Sequence, residues 1–133
     1  MNRVIYKKDL IYPELSYQII GILFDIFTTL GYGYKEKQYQ KAVEEALRSL
    51  GIKHKRELPL QVTYKGKRLT TVFMDFLIDE KIILELKQGN RFNKDDIEQV
   101  YNYLRASGLR LGLLARFTRQ GVKFMRIVNL YDK

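Results

Sequence analysis

Cysteine and tryptophan are absent from the 133 residues, and there are only one histidine and two prolines. Without cysteine there is no disulfide framework, thiolate nucleophile, iron–sulfur cluster or Cys-bearing zinc site, and the chain suits a reducing compartment such as the cytoplasm. The lone histidine, His54, has no second imidazole or thiol with which to share a metal. Set among Lys53, Lys55 and Arg56, it reads as a surface residue in a basic connection. Long hydrophobic runs are also missing. The longest, residues 19–24, contains Gly21 and stops at Asp25, against the roughly 20 residues a membrane-spanning helix needs. Residues 1–15 mix Arg3, Lys7, Lys8 and Asp9 with apolar positions, so they lack the apolar core of a signal peptide, and no membrane association is expected. Neither a Gly-x-x-x-x-Gly-Lys-Ser/Thr loop nor a Gly-rich dinucleotide fingerprint occurs, which leaves nucleotide-driven motor and redox chemistry without support.

Acidic residues are outnumbered, 15 against 24 Lys and Arg, for a net charge of +9. The excess favours polyanionic partners, nucleic acid first, and says nothing about fold. The cations, among them Arg56 and Arg116, are dispersed and read as a solvated basic surface. A hydrophobic fraction of 46% makes this a packed globule rather than a basic tail, and the length suits one domain over residues 1–133.

Apolar residues recur at helical spacing over residues 14–30, between Pro13 and Gly31, and again over 34–50, ending at Gly51. The period then shortens to two. Strands are expected over 58–64, 69–78 and 82–86, with turns at Lys65-Gly66-Lys67 and Asp79-Glu80-Lys81. Asn93 caps a third helix that ends near Gly108, and two strands follow over 109–117 and 122–128. The order ααβββαββ predicts an α/β fold, a mixed sheet flanked by helices.

The most unusual position is Asp75, a charge inside Val72-Phe73-Met74-Asp75-Phe76-Leu77-Ile78, a strand apolar on both faces and so expected at the centre of the sheet. Glu85 intrudes on the next strand in the same way, and Lys87 shares its face by period-two alternation. A three-residue loop at 79–81 sets Ile78 against Ile82 and Asp75 against Glu85, about 4.5–5.5 Å apart at Cβ. A hard divalent cation, Mg²⁺ or Mn²⁺, would relieve the repulsion between the acids. The alternative is an ordinary ion pair, with Lys87 neutralising one of them.

An Asp, a short hairpin and then Glu-x-Lys resembles the signature of the PD-(D/E)XK nuclease superfamily, with Met74 standing in the place of its Pro. Leu30-Gly31-Tyr32-Gly33-Tyr34-Lys35-Glu36-Lys37-Gln38-Tyr39 resembles the hallmark of the GxxExxY family, a branch of that superfamily, through Gly33, Glu36 and Tyr39. The likeness extends to Gln18-Ile19-Ile20-Gly21, to the Tyr64-Lys65-Gly66-Lys67 turn and to residues 103–114, and covers residues 14–129. It implies a restriction-endonuclease-like core in which Glu36 joins Asp75 and Glu85 around the cation. Gln99 and Tyr103, four apart on one helix face, resemble the Gln-x-x-x-Tyr motif of RecB-like nucleases, which implies a contact with nucleic acid beside the metal. By spacing alone the pair lies beside the apolar stripe of Ile97, Val100 and Leu104. The expectation is a metal-dependent nuclease acting on DNA more than RNA, with a homodimer suited to cutting both strands. A binding module without catalysis, or a protein-interaction module with a basic face, is the alternative.

Overall fold

The computed structural model describes residues 11–130; the part of the N-terminal segment up to residue 10, read above against a signal peptide, lies outside the described residues. Among those described, the elements run α1 (Pro13–Leu30), α2 (Glu36–Ser49), β1 (His54–Tyr64), β2 (Lys67–Ile78), β3 (Ile82–Lys87), α3 (Lys94–Ser107), β4 (Leu111–Thr118) and β5 (Gly121–Val128). This is the expected ααβββαββ order. The five strands lie side by side in chain order; β3 and β4 are parallel and every other neighbouring pair is antiparallel. A parallel pair needs a crossover connection, and α3 supplies it. α1 and α2 pack on one face of this mixed sheet and α3 on the other, the restriction-endonuclease-like α/β arrangement.

Local chemistry accounts for the boundaries. Pro13 opens α1, where its fixed φ fits the first turn, and the helix buries Ile19, Ile22, Leu23 and Ile26. Asn93 caps α3 by accepting the Asp96 N–H at 2.9 Å, and Gly108 closes it in the left-handed region at φ 78°. β4 is buried throughout, beneath both helical layers. At Gly112 a Cβ would meet Val100 Cγ1 at 2.5 Å, so the missing side chain is what lets α3 lie close to the sheet.

Three expectations change. Residues 53–56 are not a free connection, because β1 already begins at His54. His54 is not a surface residue: its side chain is 13% exposed, with Nε2 3.4 Å from Glu44 of α2. Arg56 reaches the same carboxylate at 3.0 Å, and that bond, with the one from His54, holds the Glu44 carboxyl below its ordinary range. β2 is also not central but second from the edge, and Phe73 is 56% exposed, because among the described residues no helix covers that side of its outer half.

The long β1–β2 ribbon changes faces midway. Leu58 and its partner Met74 pack with α3, whereas Phe76 and Ile78 pack with α1 and α2. Strict alternation would keep Met74 and Phe76 on one side. The switch falls at Glu57 and Asp75, the opposed pair missing from a register that otherwise runs unbroken from His54–Ile78 to Val62–Thr70 and then shifts at Thr63; Glu57 adopts φ 50°. Asp75 thus stands where the sheet rotates and its ladder is open.

Candidate active site

The loop at Asp79-Glu80-Lys81 pairs Ile78 with Ile82, as its length predicts, and the β2–β3 ladder runs as far as Phe76 and Leu84. One further step in the same register sets Asp75 opposite Glu85, but main-chain pairing stops short of it. The two side chains fill the gap. Glu85 Oε2 accepts the Asp75 N–H at 2.7 Å, and Asp75 Oδ2 accepts the Leu86 N–H at 2.9 Å. Two acids inside a hydrophobic sheet are therefore tolerated by satisfying donors that the interrupted ladder leaves free.

Those bonds do not cancel the cost of charge. Glu85 is 2% exposed, and burial, followed by the repulsion of Asp75, pushes its carboxyl up to about 8. Burial also raises Asp75, against the opposing effects of the Leu86 N–H and the Lys87 ammonium. Glu36, the first residue of α2, is raised by burial and then by Asp75, with Lys87 and Arg116 acting the other way. Glu36 and Asp75 line one open cavity of about 430 Å³ together with Lys37, Gln40, Glu57 and Phe73. Asp75 and Glu85 are brought together by those two bonds, whereas Glu36 shares the cavity with Asp75. Among the described residues no three acidic or imidazole groups already form a closed coordination sphere.

Among the described residues Lys87 does not make the ordinary ion pair. Its Nζ donates instead to Gln99 Oε1 on α3 at 2.7 Å, which holds the ammonium at the end of β3. Tyr103, expected beside the apolar stripe, is 6% exposed and packs within it against Val100 and Leu104. Its hydroxyl donates to the Phe73 carbonyl at 3.3 Å. Burial, then the charges of Glu85 and Asp75, raise its ionisation, so the phenol stays a donor. Gln99 and Tyr103 thus each have a partner inside the protein, one on the lysine and one on the strand that carries Asp75.

Two residues to which the sequence reading gave no place in the site also contribute. Arg116, counted there as a solvated cation, is 3% exposed and is the β4 neighbour of Lys87. It donates to the Gln88 carbonyl and to the Asp96 carboxylate, and its guanidinium lies over the Phe92 ring at 5.4 Å. The available signal was the one that marks Asp75, a charge inside the apolar strand Leu-Gly-Leu-Leu-Ala-Arg-Phe-Thr. Tyr39 is the other. Its hydroxyl donates to the Gly31 carbonyl at 2.6 Å and accepts the Tyr34 N–H at 3.4 Å, while its ring stacks on Phe117 at 4.1 Å. It secures the loop between α1 and α2 that delivers Glu36.

The donor set suits a hard cation. Asp75 and Glu85 are oxygen ligands whose carboxyls are pushed toward the protonated form by burial, and the Lys87 ammonium is engaged by an amide. A divalent ion would favour the ionised form of both.

Comparison with known proteins gives a family and a fold. The family described as the PD-(D/E)XK nuclease superfamily matches residues 13–127. No curated protein matches the chain. Among solved structures, the fold is similar to that of the protein in "Crystal structure of SSO0001", with a TM-score of 0.56 and 17% identity over 99% of this chain and 70% of that one.

Proposed function

Because the chain belongs to the PD-(D/E)XK nuclease superfamily, we propose that it hydrolyses phosphodiester bonds, of DNA in preference to RNA, with Mg²⁺ or Mn²⁺ as cofactor. The observation that carries the reading is the interlocked Asp75–Glu85 pair with Lys87 held beside it by Gln99. Asp75 and Glu85 would hold the cation, and Glu36 would add an oxygen from the cavity wall. A bound divalent ion supplies Lewis acidity and lowers the pKa of the attacking water. Lys87 orients that water or offsets negative charge growing on the phosphoryl group. Gln99 and Tyr103 act as positioning residues, Gln99 through the Lys87 ammonium and Tyr103 by bracing the Phe73 carbonyl.

Within the superfamily we assign the chain to the GxxExxY branch. Gly33 stands at φ 113°, where a side chain is strained, Glu36 opens α2, and Tyr39 fastens the loop between them. One such domain over residues 1–133 cuts one strand, so a homodimer serves duplex cleavage, and the cytoplasm is the proposed setting. The test uses labelled oligonucleotides and supercoiled plasmid with Mg²⁺, Mn²⁺ or chelator. Wild type cuts only with a cation, while Asp75→Asn and Lys87→Ala bind but cut about 100-fold more slowly or worse. Variants that cut as fast as wild type would displace the site. Binding by wild type without cleavage under any cation would leave a non-catalytic nucleic-acid module.

A further inference from the structure

Between Glu57 and Asp75 the chain carries no acidic residue, yet it holds Lys65, Lys67 and Arg68. This stretch is the outer half of the β1–β2 ribbon, and residues 63–70 at its end are all exposed. One side of the ribbon, with Leu60, Val62 and Val72, faces α3. Among the described residues the other is bare: Pro59 pairs with Phe73 and Gln61 with Thr71 on it, and all but Thr71 are exposed. The Thr71 hydroxyl donates to Gln61 Oε1 at 3.2 Å, and Arg68 Nη1 donates to Thr71 Oγ1 at 3.4 Å, folding the guanidinium back along this side. The track therefore runs from the tip through Thr71 and Phe73 into the cavity with Asp75 and Glu36.

Lysine on an edge strand can simply discourage sheet-to-sheet pairing. Residues 58–64 of the edge strand β1 contain no cation, and all three lie at the turn or just beyond it on β2. We infer that this bare side of the ribbon is a docking surface for duplex DNA, with Lys65, Lys67 and Arg68 gripping the phosphate backbone away from the bond that is cut. The inference rests on the nuclease reading for its orientation. Asp75 and Arg68 are seven residues apart, about 23 Å at 3.3 Å per strand residue, which corresponds to about seven nucleotides at 3.4 Å each. A two-stranded ribbon fits the major groove of B-form DNA, whereas the A-form groove of RNA is too deep and narrow to receive it.

The experiment is equilibrium binding in chelator, so that a failure of cleavage cannot be confused with a failure of docking. Wild type is compared with Lys65→Asn, Lys67→Gln, Arg68→Gln as a triple variant; Asn at 65 suits the left-handed turn at φ 49°. With long DNA duplexes the slope of log affinity against log salt falls by about 0.9 for each phosphate no longer neutralised, up to about 2.7 for three. With duplexes shorter than about seven base pairs the two proteins converge. Arg68→Gln alone, at an exposed position, gives about one unit of slope and guards against misfolding of the triple variant. An unchanged slope, an equal deficit at every length, or the same loss on duplex RNA overturns the assignment.

Discussion

In the absence of divalent ions the protein should lose stability as pH rises from about 5 to about 8, the reverse of ordinary acid denaturation. Glu85 sits near its ordinary 4.5 when unfolded and is pushed up to about 8 in the fold. Across that interval the native state keeps a proton that the unfolded chain has released, so raising the pH favours unfolding. Asp75 and Glu36 are raised as well and act in the same sense. At about 1.4 kcal/mol per pH unit the Glu85 shift sets a ceiling near 5 kcal/mol, and water entering the cavity reduces this to about 2–4 kcal/mol. For a domain of this length that is about 10 °C in melting temperature. Urea or thermal unfolding in chelator, of wild type and Glu85→Gln in parallel, provides the measurement. The variant should be flatter with pH, and the difference between the two cancels groups they share. Mg²⁺ should stabilise wild type increasingly as pH rises, because the ionised carboxyls bind it. Parallel pH profiles for the two proteins in chelator would refute the account of Glu85 as a buried, proton-holding acid.

Two packing predictions follow from the sheet. Gly112→Ala forces a methyl against Val100 and should cost about 1–3 kcal/mol in urea unfolding; a neutral result would mean that α3 has room to shift. Arg116→Met leaves the Asp96 carboxylate and the Gln88 carbonyl without their guanidinium, and should cost about 3–5 kcal/mol. An equally stable Arg116→Met protein would show those bonds to be dispensable.

The helices were legible because their signals are local: the Pro13 and Gly31 boundaries, the Asn93 cap and the Gly108 stop each act within a turn. The register of β2 on β3, from Ile78–Ile82 to Phe76–Leu84, was legible for a similar reason, since a three-residue loop fixes it. Less visible was the chemistry that depends on what lies across the sheet. A His-Lys-Arg run looks like a connection until Glu44 is known to wait on α2, and Arg116 looks solvated until the strand around it proves fully buried. Period-two alternation gives one inward face per strand, so the exchange of faces at Glu57 and Asp75 could not be read from apolarity alone, and neither could the exposure of Phe73.

That exchange also divides the ribbon mechanically. Inside it, β2 and β3 are clasped between helical layers; outside it, β1 and β2 depend on each other and on a single helix. The acids occupy the joint, and Asp75 is tied to the clasped side through the Leu86 N–H, so local opening of the less covered arm need not displace its carboxyl group. On the nuclease reading proposed above, an arm that joins the acids directly would let one binding surface adjust to differently bent substrates without displacing the carboxyl groups.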